Sequence, residues 1–203
     1  MADVSPLRQS PLDHLALAAR AQPQLGSARF GLGELRFRGA VNLRARRDDA
    51  GARQALETAL GAALPPVGKA SIAGETKLLG LGPDEWLLIA ADGPALAQRL
   101  RVATAGQFVG VTDVSENYTT LVASGPAARE VLAKGCPLDL HPRSLKPGDV
   151  AGSLVAKATV VLTLLSEEAG DARFELLVRR SFADYLFRWL EDAGREAGAV
   201  VRA

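Results

Sequence analysis

The period of the apolar residues along this chain switches from two to about 3.6 and back, and it does so twice in the same order. That pattern supports an α/β arrangement built from two similar units, and a pair of ferredoxin-like units would give much the same pattern. In the first unit, Leu35, Phe37, Val41 and Leu43 fall on one side of an extended segment, with Arg36, Arg38, Asn42 and Arg44 on the other. This reads as the first strand of the main body. Ala52, Leu56, Ala59, Leu60 and Ala63 then recur at helical spacing until Pro65-Pro66 ends the helix. A β-pair follows over Ser71 to Leu81 and Glu85 to Ala91, turned by Gly82-Pro83-Asp84, and Pro94 opens a short helix through about Leu100.

The second unit repeats strand, helix, strand, strand, helix. Tyr118 to Ala123 is a strand, and Gly125-Pro126 introduces a helix to Lys134. Leu154, Ala156, Ala158, Val160, Leu162 and Leu164 share one face of a single long strand, and an acidic turn at Glu167 to Asp171 leads into Phe174 to Arg179. Ser181 is placed to cap a last helix, with Asp184 in its first turn. Its apolar stripe reads Phe182, Tyr185, Leu186, Trp189, Leu190 and Ala193, which leaves Phe187 pointing away. The expected division is an extension over residues 1–28 and a duplicated body over 29–203, split into halves at about 29–105 and 106–203. Leu12, Leu15 and Leu17 of the extension can dock on the body or on another chain.

Composition excludes several functions. Lys and Arg number 24 against 23 Asp and Glu, a net charge of +1, which gives no long-range pull toward nucleic acid or an anionic membrane. No apolar run reaches the roughly 20 residues that span a bilayer. The single cysteine excludes an internal disulfide framework, and the amino terminus lacks a targeting pattern, so a cytoplasmic location is expected.

Candidate chemistry is sparse. Cys136 follows the carboxyl end of a helix, where the dipole disfavours a thiolate, so packing is its expected role; a pairing with His141 is the catalytic alternative. Asp113, Glu116 and Asp139 could serve acid–base work, but their loop and strand-end positions favour backbone hydrogen bonding. Two histidines and one cysteine make a poor zinc set, and neither a dinucleotide fingerprint nor a phosphate loop is present. A basic run from Arg29 to Arg53, including Arg36 and Arg38, reads as a solvated face or as an interface to acidic residues on a partner. Arg179, Arg180 and Phe187 form a second candidate contact.

The segment DVSENYTTLVASGPAAREVLAKGCPLDLHP, from Asp113 to Pro142, and FELLVRRSFADYLFRWLEDA, from Phe174 to Ala193, resemble the gamma subunit of bacterial heterotetrameric sarcosine oxidase. Ser10-Pro11-Leu12, LGPDEWLL from Leu81 and LVAKATVVL from Leu154 extend the resemblance over nearly the whole chain. It implies a duplicated, intimately joined α/β fold of the α+β type, with βαββα-like units similar to the folate-binding domain of the glycine-cleavage T-protein. It further implies an accessory subunit without its own redox site. Its partners would be the alpha, beta and delta subunits, chiefly alpha. The complex converts sarcosine to glycine with hydrogen peroxide and either formaldehyde or methylene-tetrahydrofolate, and FAD, FMN, NAD, tetrahydrofolate and zinc would lie in the partners. Three alternatives share parts of this pattern. They are the matching subunit of another N-methyl amino-acid dehydrogenase, a folate-dependent aminomethyltransferase, and an iron–sulfur maturation protein whose motif Lys134-Gly135-Cys136 echoes before diverging at Pro137.

Overall fold

The computed structural model describes residues 8–202. Among these residues, eleven strands form two sheets. In chain order the elements are α1 (Leu17–Arg20), β1 (Gly31–Leu35), β2 (Gly39–Ala45), α2 (Ala50–Leu60), β3 (Ala70–Ala73), β4 (Thr76–Gly82), β5 (Glu85–Ala90), α3 (Gly93–Ala103) and β6 (Val109–Asp113). They continue with β7 (Tyr118–Gly125), α4 (Ala128–Ala133), β8 (Val150–Val155), β9 (Ala158–Glu168), β10 (Asp171–Arg179), α5 (Arg180–Ala193) and β11 (Val200–Arg202).

One sheet runs β6-β2-β5-β4-β3 and the other β1-β7-β10-β9-β8, with β11 added parallel to β1 at its edge. Strand for strand the two orders correspond, which is the duplication expressed in topology. The sheets do not follow a division of the chain near residue 105, because β1 lies in the sheet built from the second half and β6 in the sheet built from the first. The halves exchange their first strands: β1 pairs antiparallel with β7, and β6 with β2. At the far edges the sheets also touch through backbone bonds related by the same symmetry, Ala70 N–H to Gly148 O at 2.8 Å and Val150 N–H to Gly68 O at 2.9 Å.

Each sheet buries both faces. In β5, Trp86, Leu88 and Ala90 meet α2 and α3, while Leu87 and Ile89 turn toward the other sheet. In β10, Phe174, Leu176 and Val178 meet α4 and α5, while Leu177 turns inward to the seam. Period-two segments with apolar residues on both faces are therefore the signature of the two central strands. Within the seam the Lys77 ammonium lies 2.7 Å from both carboxylate oxygens of Glu175, and each side chain is only 9% exposed.

The continuous strand expected over Leu35 to Leu43 is two strands. The chain turns at Arg36–Arg38, with Phe37 in the left-handed region at φ 58°, and crosses from one sheet to the other. The expected long strand from Leu154 is likewise a hairpin, reversed at Ala156-Lys157 with Ala156 at φ 51°. Because Val155 faces Ala158 across that turn, Val155 enters the core and Leu154 is exposed. Leu12 of the amino-terminal extension is buried in the core of the second sheet, with Leu15 and Leu17 packed against that core, so this segment docks on its own body. Ser181 does not cap α5; Arg179 occupies that position with no side-chain cap. Asp184 lies beyond the first turn and bonds His14 and Arg188.

The buried seam pair gives a prediction. Lys77→Met strands a buried carboxylate and should destabilise the protein by roughly 3–5 kcal/mol in urea unfolding, whereas Lys77→Met with Glu175→Leu should recover most of the loss. Equal losses in the single and double variants would contradict this.

Candidate subunit interface

Each arginine of the expected contacts is engaged within the chain. Arg36 pairs with Asp13 and lies 4.9 Å from the centroid of Phe37, whose ring Arg8 also approaches at 5.0 Å. Arg38 makes a two-pronged pair with Glu75, at 2.9 and 3.0 Å, and Glu75 keeps its guanidinium firmly charged. Arg179 stacks 5.7 Å over Tyr118, and Arg180 donates to Gln9 O at 2.7 Å. These groups fasten the amino-terminal segment and the β3–β4 hairpin to the body.

Phe187 is a correction. It is 0% exposed, in the face of α5 formed by Ala183, Leu186, Phe187 and Leu190 that packs on the second sheet. Apolar residues nearly encircle this helix, and the sheet selects the face at i, i+3, i+4 and i+7. Phe182 and Tyr185 are the aromatics left outside, 43% and 38% exposed.

The CPLDLHP loop is held by bonds the spacing did not reveal. Arg129 on α4 donates through Nε and Nη2 to the two oxygens of Glu167 on β9, at 2.8 and 2.6 Å, and through Nη1 and Nη2 to the carbonyls of Leu140 and Leu145. Its guanidinium also stands 5.5 Å over the Phe174 ring. One side chain thus ties a helix, a strand, the loop at Leu140 and the segment just after it at Leu145. The hydrogen bonds from Arg129 hold the Glu167 carboxyl below the usual carboxylate range. Asp139 accepts the Ser144 hydroxyl at 2.5 Å and the His141 amide at 3.0 Å, which lower its carboxyl in the same sense.

The candidate catalytic groups are absorbed in the same way. Cys136 is buried, with the Ser153 hydroxyl 3.7 Å from its sulfur, while Nδ1 of His141 accepts the Arg143 amide at 3.2 Å within its own loop. Asp113 accepts the Ser115 hydroxyl at 2.5 Å, and Ser115 Oγ accepts the Ala40 amide at 3.0 Å, which locks the β6–β7 crossover to β2. Glu116 pairs with Arg8 at 3.0 Å. Among the described residues, no group of three or more His, Cys, Asp or Glu side chains is placed to hold a metal.

The surface feature the sequence did not single out is Phe108. It stands between α3 and β6, 79% exposed, on a recess of about 400 Å³ lined in part by Arg44, Arg46, Asp84 and Val109. The only local signal is a bulky apolar residue in a polar, glycine-bearing turn, Gly106-Gln107-Phe108, outside any periodic segment. Two further recesses also reach Arg46, which pairs with Asp48 at 2.7 Å. No helix among the described residues is long and apolar enough to cross a membrane.

The comparisons with known proteins agree with this architecture. The model of the sarcosine oxidase, gamma subunit family matches residues 44–196. Sarcosine oxidase subunit gamma of Corynebacterium sp. (strain U-96) is 38% identical over 204 residues, covering 98% of this chain and 96% of its own length. The Arthrobacter sp. protein of the same name is 41% identical over 192 residues, at 94% and 91% coverage. A chain in the structure of heterotetrameric sarcosine oxidase from Corynebacterium sp. U-96, in complex with pyrrole 2-carboxylate, superposes with a TM-score of 0.85 at 36% identity, over 98% of this chain and 100% of that one. Glycine cleavage system aminomethyltransferase T from Bartonella henselae shares the fold, with a TM-score of 0.72 at 18% identity, over 97% of this chain and 60% of that one.

Two predictions follow from the loop geometry. A carboxylate whose folded value is lowered contributes stability above its unfolded value and loses it as pH falls through the folded value. Glu167→Gln should therefore cost roughly 1–3 kcal/mol at neutral pH, and the gap to the unaltered protein should narrow below about pH 4; a gap independent of pH would contradict the pairing. Cys136→Ala in the assembled complex should leave turnover close to normal, and loss of turnover with assembly intact would assign the thiol a chemical role.

Proposed function

The chain belongs to the sarcosine oxidase gamma subunit family, and on that footing we propose that it is the accessory subunit of a four-chain sarcosine oxidase that carries no redox centre itself. The observation behind this reading is its likeness, over nearly the full length, to a chain of the heterotetrameric enzyme. The seam between the sheets holds Ala40, Leu79, Leu87, Ile89, Val150 and Leu177, with the Lys77–Glu175 pair in its polar part. A duplicated fold that elsewhere holds folate is here packed with its own side chains, so its contribution to catalysis is geometric.

In this reading the complex consumes sarcosine, water and dioxygen and releases glycine, formaldehyde and hydrogen peroxide, or passes the one-carbon unit to tetrahydrofolate. FAD, FMN, NAD and the folate reside in the larger subunits and zinc in the smallest. The alpha subunit is the chief contact, with beta and delta completing the assembly. A cytoplasmic setting agrees with a single unpaired cysteine.

Co-expression with the other three subunits, followed by purification through a tag on one of them, tests the proposal. The chain should co-purify in stoichiometric amount. Purified alone, it should show neither flavin absorbance nor sarcosine-dependent oxygen uptake. Sarcosine oxidation by the lone polypeptide would overturn the reading.

A further inference from the structure

Phe108 is the most exposed large apolar side chain among the described residues, and Val102 on the adjoining end of α3 is 67% exposed. Exposed aromatics beside a recess are unusual on a surface that faces only water and typical of the anchors of protein interfaces. The neighbouring strand β6 is an edge, yet it is poorly suited to accept another strand. Arg101 Nε already donates to Val111 O at 3.1 Å, and the Val109 amide is bonded to Gln107 O at 2.9 Å. What this edge offers is side chains.

The rim supplies the charge. Arg44 lies on β2 and Arg46 and Arg47 just past its last residue, Ala45, and all three line the recesses around Arg46 together with Asp48 and Asp84. The Arg47 amide donates to Asp84 Oδ1 at 2.7 Å, while the Arg47 guanidinium makes no ion pair among the described residues. The Arg46–Asp48 pair is largely in water, the kind of pairing that contributes little and is readily exchanged. An apolar anchor, a free guanidinium and an exchangeable one together fit a carboxylate set next to a large apolar side chain.

Resting on the subunit assignment above, we infer that the Phe108 face is the surface on which this chain docks a partner subunit of the oxidase. The partner presents an apolar side chain to Phe108 and Val109 and a carboxylate to Arg47 and Arg46. Insertion of side chains, rather than extension of the sheet through β6, makes the contact.

The four-subunit co-purification, repeated with Phe108→Asp, with Arg47→Glu and with Phe182→Asp as a control on α5, decides the matter. Phe108→Asp should reduce the co-purified chain by about tenfold or more. Arg47→Glu should reduce it less and weaken its dependence on salt. Phe182→Asp should be retained. Because Phe108 and Arg47 are surface residues, urea unfolding of the separate variants should match that of the unaltered chain, which distinguishes lost docking from lost folding. Retention of both Phe108→Asp and Arg47→Glu at the unaltered level, while the unaltered chain co-purifies, overturns this surface and leaves the subunit assignment standing. Failure of the unaltered chain to co-purify removes the assignment instead. If the isolated chain is a dimer that Phe108→Asp dissociates, the occupant is a second copy and the inference fails.

Discussion

The reciprocal exchange of β1 and β6 is the constraint on which this structure depends. Without β6, β2 would be left as an open edge; without β1, β7 would be, and the core of the second sheet would lose Leu32. Neither half can complete its sheet from its own residues, so the two sheets form together. The crossing points leave no room for variation. At Gly39 a side-chain carbon would sit 2.1 Å from the Gly93 amide nitrogen, and at Gly93 it would sit 2.0 Å from Ser115 Oγ. Ser115 in turn bonds both Asp113 and the Ala40 amide, so β6, β2 and the start of α3 meet at one tightly packed place.

That arrangement decides where function can reside. In a body whose sheets each carry helices on one side and face one another on the other, a ligand site would have to open in the seam or lie on the outside. The seam is filled by aliphatic side chains and by Lys77–Glu175, a pair whose mutual hydrogen bonds compensate for loss of water on both groups. The amino-terminal segment covers more of the outside, pinned by Leu12, by the Arg36–Asp13 pair and by Ser10, whose hydroxyl donates to Glu34 at 2.6 Å. On the proposed reading, recognition falls to the periphery, where Phe108 stands beside Arg44 of β2 and Arg46 just beyond it.

The sequence was most legible where a period ran for several residues between firm boundaries. The helix beginning near Ala52, the β4–β5 turn and the buried face of β9 could be read that way, because burial on fixed faces imposes the spacing. Reversals escaped: Phe37 and Ala156 take left-handed conformations that their residue types do not advertise, and the turn at Gly74 splits the expected strand over Ser71 to Leu81 into the β3–β4 hairpin, so three turns read as continuous strands. α5 was ambiguous for another reason. With aromatics at 182, 185, 187 and 189, periodicity alone cannot choose the buried side, and contact with the second sheet chose Phe187. Arg129 and Glu167 are 38 residues apart and carry no local motif, so their clamp is visible only once α4 and β9 are neighbours. The expected arginine contacts were read from charge density, which does not disclose that Glu75 and Asp13 already answer Arg38 and Arg36.

Amide hydrogen exchange, measured on the isolated chain and on the chain within the four-subunit complex, tests the central claim of a self-completed scaffold that works through its periphery. The account predicts slow exchange in β5, β7 and β10 already in the isolated chain, little changed by assembly or by added tetrahydrofolate, with new protection confined to the surface around residues 102–111. Protection of the seam strands that appears only on assembly, or only with the folate, would contradict it.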